Sequence, residues 1–259
     1  METVELDGID YSRQLELTDQ IRQLDRNVMT KKYIIVGCGG IGFWAGILLA
    51  MFGIKELVLI DGQKIESSNL NRLPVPPTWV GTNKAIALRR IIRQMRPATV
   101  INCIVKNVND ENINVLKSLT IDQRCTIIDT TDDARIQKKI YDNIGSIVSN
   151  VHYIKIGYEG LDVGWYPRYD IWIPDNYQPG YRTTQSNVLS SAISAGLGLL
   201  SEFWGNSNTD VKINLADLAD GSMTSNYQDN VDCLTSQLDQ LTEEYLKLQN
   251  AIESEVLSG

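Results

Sequence analysis

Apolar and polar positions alternate along this chain in blocks that read as an ordered series of strands and helices. The first thirty residues are mostly polar, with apolar residues spaced at Leu15, Leu17, Ile21, Leu24 and Val28, a pattern that predicts one helix or two short ones with Ser12 as N-cap. A short apolar run from Tyr33 to Val36 then meets glycines at 37, 39, 40 and 42, and an apolar stretch of helical length follows as far as Gly53. A second strand-like run, Leu57 to Ile60, ends on Asp61. Turn formers and prolines make residues 62–77 a loop, after which Ile86, Leu88, Ile91, Ile92 and Met95 mark a helix that starts at Asn83 or Lys84 and stops before Pro97. The pattern continues with a strand at 99–105, a short helix at 111–119, a buried strand at 125–128 and a helix at 134–144. Strands are expected at 152–158 and 169–173, with glycine- and aromatic-rich loops between and after them, and then a small-residue helix at 186–203. Near the end, Val231, Leu234, Leu238, Leu241, Tyr245, Leu248 and Ile252 step by three and four in turn, a heptad seam along one long helix. Strand and helix alternation of this kind predicts an α/β fold, Rossmann-like and doubly wound. Its sheet is mainly parallel with antiparallel C-terminal strands, and a long C-terminal helix follows.

Composition narrows the picture. With 259 residues, 43% of them hydrophobic, the chain can bury a full core, and a single domain over 1–259 is expected. Its parts are an N-terminal helical arm (1–30), a nucleotide-binding core (31–158), a crossover and substrate loop (159–185) and C-terminal helices (186–259). The net charge of −8 argues against nucleic acid or an anionic membrane as the main partner. From Glu202 onward there are 11 acids and 2 lysines, so the acidic face is C-terminal. The four cysteines (Cys38, Cys103, Cys125, Cys233) are widely spaced and form no C-x-x-C pair, and His152 is the sole histidine, so no structural zinc is expected. No leader is evident, and the apolar stretch from Phe43 to Ile54 is too short to span a bilayer; a reduced, cytoplasmic protein is expected.

The candidate chemistry centres on the glycine turn. Gly37, Gly39 and Gly42 satisfy G-x-G-x-x-G, which brings backbone N–H groups and the positive end of a helix dipole up to a phosphate. Asp61 stands where a βαβ unit places the acid that bonds a ribose hydroxyl. A dehydrogenase would share these features. Lys84 departs from that pattern, because a cation at a helix N-terminus opposes the dipole unless an anion lies beside it. His152, on a strand, reads as a satisfied sheet residue rather than a base.

The ordered series Gly37-Cys38-Gly39-Gly40-Ile41-Gly42, Asp61, Ser68-Asn69-Leu70-Asn71-Arg72, Lys84 and Thr131-Asp132-Asp133 resembles the ThiF/MoeB/HesA-like adenylating enzymes of the ubiquitin-activating-enzyme superfamily. Tyr11-Ser12-Arg13-Gln14 is similar to the motif that opens those proteins, and the resemblance runs from about residue 11 to 158. It implies an ATP-dependent adenylyltransferase, in which a carboxylate attacks the α-phosphorus of MgATP to give an acyl adenylate and pyrophosphate. By the same resemblance Gly37, Gly39, Gly40 and Gly42 cradle the phosphates and Asp61 holds the ribose. Asn69, Arg72 and Lys84 bind the phosphates, Asp132 holds Mg²⁺, and Arg13 reaches the γ-phosphate of a neighbouring subunit's ATP in a homodimer. Arg72, Lys84, Asp132 and Arg13 would be the catalytic set. The implied substrate is the C-terminal carboxylate of a small ubiquitin-like or sulphur-carrier protein, or of a peptide, laid along residues 157–185.

The chain also departs from that pattern. It lacks the zinc-binding C-x-x-C pairs of many members, and no cysteine follows Tyr169 in the crossover region where a thioester nucleophile would stand. Adenylation without covalent thioester transfer is therefore expected. A scaffold subunit that keeps the nucleotide fold without catalysis is the alternative, and the heptad helix would then dock the active chain. The acyl acceptor is not legible in the sequence.

Overall fold

The structure is a computed structural model, and it describes residues 5–6, 8–11, 26–109, 113–120, 124–145, 150–166, 186–204 and 211–220. The chain folds as two compact units, Met1–Ile213 and Asn214–Gly259. In the second unit the described part is a single short helix, α6 (Leu215–Asp220), with Asn214 Oδ1 accepting from the Ala216 amide at its start.

The larger unit is built on a sheet ordered β5-β4-β3-β6-β7-β8-β9. These strands are β3 (Lys32–Val36), β4 (Glu56–Ile60), β5 (Val100–Ile104), β6 (Cys125–Asp129), β7 (Val151–Glu159), β8 (Asp162–Tyr166) and β9 (Val211–Asn214). A small hairpin, β1 (Glu5–Leu6) with β2 (Ile9–Asp10), precedes them. β5, β4, β3, β6 and β7 are parallel and β8 turns back antiparallel on β7. Parallel strands with cover on both sides are apolar at successive positions, and this explains the unbroken runs Tyr33–Val36 and Leu57–Ile60. Tyr33, Ile35, Leu57 and Leu59 point into one core, while Ile34, Val36, Val58 and Ile60 point into the other.

The first core is covered by α1 (Gly40–Met51), α2 (Lys84–Met95) and α5 (Val188–Trp204), the second by α3 (Ile113–Ser118) and α4 (Ala134–Ile140). α1 and α5 lie side by side and run the same way. Ser191 meets Gly40 at one end, and a dozen residues further along each helix the Phe52 and Phe203 rings sit 4.4 Å apart. Both helices therefore begin at the edge of the sheet where the parallel strands end. The chain winds outward from β3 to β4 and β5, then crosses to β6 on the other side, so the order reverses between β3 and β6. That reversal opens the crevice in which folds of this kind bind ligands.

Several expectations shift. Residues 162–166, read as loop, are β8: Gly157 faces Gly164 across the ladder, and the turn uses Gly160 at φ +62°. Glycines flanking an aromatic alternation hid that strand. The helix expected at 134–144 ends at Ile140 and continues as one wide turn, Tyr141–Gly145, where Asp142, Asn143 and Gly145 are poor helix formers. In the N-terminal stretch, Arg26–Thr30 forms a 3₁₀ turn, and Glu5–Leu6 pairs with Ile9–Asp10 as the hairpin. The expected helix over residues 15–24, Ser12, Arg13, the strand at 169–173 and the heptad seam at 231–252 lie outside the described residues.

Candidate functional site

The glycine turn owes its shape to two close approaches. Gly37 has φ +90°, and its amide donates to the Ile60 carbonyl at 2.9 Å. A Cβ on Gly42 would stand 1.9 Å from the Gly37 oxygen, so no larger residue fits there. Thr130, just past β6, closes the turn from the other side, its hydroxyl donating to the Gly37 carbonyl at 2.7 Å. The Cβ position of Gly39 has no atom within 4 Å and faces open space at the start of α1. An anion there would meet the free N–H groups of the first helical turn.

Asp61 fixes the next wall. Its carboxylate accepts from the Cys38 amide (2.7 Å) and the Gln63 amide (2.6 Å), and the residue is 7% exposed. Burial pushes its carboxyl above the usual carboxylate range, against the pull of those two amides and of Lys84. Asn83 caps α2 through its Oδ1 on the Ile86 amide, and its Nδ2 donates to the Asp61 and Gln63 carbonyls. Lys84, the first residue of α2, is therefore carried to the same corner. It is also 7% exposed, its Nζ donates to Gln63 Oε1 at 2.7 Å, and among the described residues it has no ion pair. The Asp61 carboxylate attracts this ammonium from beyond ion-pair contact, and its direct bond is to a neutral amide.

The loop after β4 supplies Asn69 and Arg72. A 3₁₀ turn at Ser67–Asn69 is closed at both ends, with Asn69 Oδ1 accepting from the Glu66 amide, and Asn69 is buried. Arg72 lies along the start of α1, its Cδ 3.1 Å from the Cβ position of Gly40. Its guanidinium donates to the Ser68 carbonyl (2.8 Å) and to Asn71 Oδ1 (2.9 Å), and its own carbonyl accepts from the Trp44 indole at 3.0 Å. Asp132 is exposed on the loop after β6, near enough to Asp61 for the two charges to repel, and makes no hydrogen bond or ion pair among the described residues. Its neighbours hold the loop in place. Buried Asp129 accepts from Thr131 and from the Tyr153 hydroxyl, and Gln137 donates to the Thr131 carbonyl.

The structure thus brings Gly37, Gly39, Gly40, Gly42, Asp61, Asn69, Arg72, Lys84 and Asp132 to one edge of the sheet. Of the opening motif only Tyr11 is described, buried against Gly53 at the far end of α1. Sequence reading missed Trp44, Thr130 and Ser191 as parts of this wall, and gave Asn71 no role although it stands in the series Ser68-Asn69-Leu70-Asn71-Arg72. Beside it, Ile60, Ile104, Lys106, Val108, Val115 and Leu116 line an apolar cavity of about 120 Å³. Cys38 is fully buried in the turn, and burial drives its thiol well above the usual range, which makes it a poor nucleophile. Burial raises Cys125 as well, to about 11.

Among known proteins, the chain is similar to the adenylyltransferase and sulfurtransferase UBA4 of Candida albicans, with 29% identity over 135 residues, 51% of this chain and 30% of that one. It is also similar to the SAMP-activating enzyme E1 of Haloferax volcanii, 30% identical over 105 residues, 40% of this chain and 39% of that one. The chain thus spans about a third of the length of these curated relatives. Among solved structures, the fold matches E. coli MccB in complex with MccA-N7isoASN with a TM-score of 0.62 at 19% identity, covering 79% of this chain and 71% of that one. It matches E. coli TcdA in complex with AMP with a TM-score of 0.51 at 23% identity, covering 61% and 64%. The ThiF family model matches residues 11–156, the span that carries the glycine turn, Asp61, Arg72, Lys84 and Asp132, and the chain belongs to the ThiF family.

Proposed function

We propose that the chain is an ATP-dependent adenylyltransferase that activates the C-terminal carboxylate of a small ubiquitin-like or sulphur-carrier protein, or of a peptide, as an acyl adenylate. The observation that carries this reading is Lys84: a buried cation at a helix N-terminus, bonded to the Gln63 amide and in ion-pair contact with no carboxylate among the described residues, beside an open glycine turn. A triphosphate satisfies both at once. It adds to the counter-charge that Asp61 gives Lys84 from a distance and accepts from the free amides of α1. A nicotinamide dinucleotide would use the turn and Asp61 but leave Lys84 and Arg72 without a task.

In this reading the carboxylate of Asp61 takes a ribose hydroxyl, and the apolar cavity next to it takes the adenine face. Asn69, Arg72 and Lys84 grip the phosphates. The attacking carboxylate and the α-phosphate are both anionic, so fixed cations that hold them together lower the barrier, as does charge placed where the pyrophosphate departs. Asp132 suits Mg²⁺: it is exposed and unbonded among the described residues. No cluster of three or more acids, histidines or cysteines occurs among those residues either, so a cation would be shared with substrate phosphates, as Mg²⁺ prefers. When bound, Mg²⁺ would offset phosphate charge. Arg13, supplied by the second subunit of a homodimer, would complete the γ-phosphate site. Cys38 and Cys125 are buried with raised thiols, which supports transfer without a thioester. Cytoplasmic location belongs to the same proposal.

The test is direct detection of the intermediate. Incubated with MgATP and a candidate carboxylate partner, the chain should yield the partner carrying one added AMP, seen by mass spectrometry and trapped by hydroxylamine. A partner that stays unmodified although ATP is bound and the variant Lys84→Ala binds it as well as wild type would contradict the proposal.

A further inference from the structure

One side chain joins the two halves of this site across 115 residues of sequence. Asn71 Oδ1 accepts from the Arg72 guanidinium at 2.9 Å, and Asn71 Nδ2 donates to the Ser186 carbonyl at 2.7 Å. Ser186 is the last residue before the capped start of α5. Asn187 Oδ1 accepts from the Ser190 amide (2.8 Å), its carbonyl accepts from the Ser191 hydroxyl (2.9 Å), and Ser191 touches the Cβ position of Gly40 at the glycine turn. Arg72 is itself fixed by its carbonyl on Trp44 and its Cδ against Gly40. Asn71 is therefore the hydrogen-bonded tie between the phosphate cation and the end of the segment that leads into α5. Both of its bonds use one planar amide, so a rotation that follows Arg72 also pulls on the Ser186 carbonyl.

We propose that Asn71 is a positioning residue that couples nucleotide phosphate at Arg72 to the start of α5. When phosphate draws the Arg72 guanidinium, the Asn71 amide is fixed with it and holds the Ser186 carbonyl, and the start of α5 stiffens. This inference rests on the adenylation reading, because it takes Arg72 as a phosphate ligand.

The experiment is amide hydrogen exchange at Ser190 and Ser191 with and without MgATP, alongside calorimetric ATP binding, in wild type and in Asn71→Asp. The aspartate keeps an oxygen for Arg72 but removes the donor to Ser186, in a side chain of the same shape. Wild type should bind ATP and exchange these two amides more slowly when it does. Asn71→Asp, compared at ATP concentrations that saturate it by calorimetry, should lose that ATP-dependent protection, while its exchange elsewhere in the sheet is unchanged. Protection that persists in Asn71→Asp, or wild type that binds ATP without protecting these amides, overturns the coupling. Failure of wild type to bind ATP at all overturns the adenylation reading and the coupling with it.

Discussion

At the residue scale, the site sets buried Asp61 and Lys84 beside half-buried Arg72 and exposed Asp132. Lys84→Ala and Arg72→Ala should each lower the adenylation rate on the order of 10²–10³-fold, measured as initial rates at saturating ATP. Unchanged rates in both variants would remove them from the mechanism. Asp61 gives a pH signature. Burial raises its carboxyl, so the ionised form that would accept a ribose hydroxyl is lost at a higher pH than an exposed carboxylate would lose it. ATP affinity should weaken as pH falls into that raised range, and Asp61→Asn, titrated by calorimetry over the same interval, should be weaker throughout and flatter. Asp61 and Lys84 were legible in sequence because they sit at a strand end and a helix start, and Arg72 through the motif it closes, Ser68-Asn69-Leu70-Asn71-Arg72. Trp44 and Asn71 were not, because their partners lie 28 and 115 residues away and are chosen by packing.

At the element scale, α1 is the member that cannot change. Gly42→Ala would drive a Cβ into the Gly37 carbonyl and should cost about 3 kcal/mol or more of stability, read from denaturant unfolding. α5 is held at its other end by buried Glu202, which accepts from Thr126 at 2.6 Å, contacts His152, and pairs with Lys31 at 3.5 Å. Burial alone would raise this carboxyl, but His152, Thr126 and Lys31 together outweigh it and the net shift is downward. A carboxyl lowered in the folded state adds stability that is present above its unfolded value and vanishes as pH falls through the folded one. Thermal melts should therefore show wild type losing its advantage over Glu202→Gln in that acidic window, an advantage of about 1–3 kcal/mol near neutrality. The elements themselves were readable where one period dominates, as in α2 and the parallel strands. β8 was not, since its glycines look like loop until the pairing of Gly157 with Gly164 shows that they belong to a ladder. The wide turn after α4 is also set by tertiary packing, with the Tyr141 and Tyr153 rings 5.3 Å apart.

At the scale of the whole molecule, the sheet order makes the site: reversal between β3 and β6 opens the crevice, and α1, α2 and α5 all begin beside it. The order of strands and helices in sequence already implied this, because right-handed crossovers leave few alternatives. The central claim is that this crevice joins a carboxylate to AMP, and ATP–pyrophosphate exchange measures that step alone, whatever later accepts the acyl group. With MgATP, labelled pyrophosphate and a small partner ending in a free carboxylate, exchange should appear only when the partner is present. It should stop when that carboxylate is amidated, and survive replacement of all four cysteines. A chain that binds ATP yet shows no exchange with any such partner would contradict the account and favour a scaffold that has kept the nucleotide fold without its chemistry.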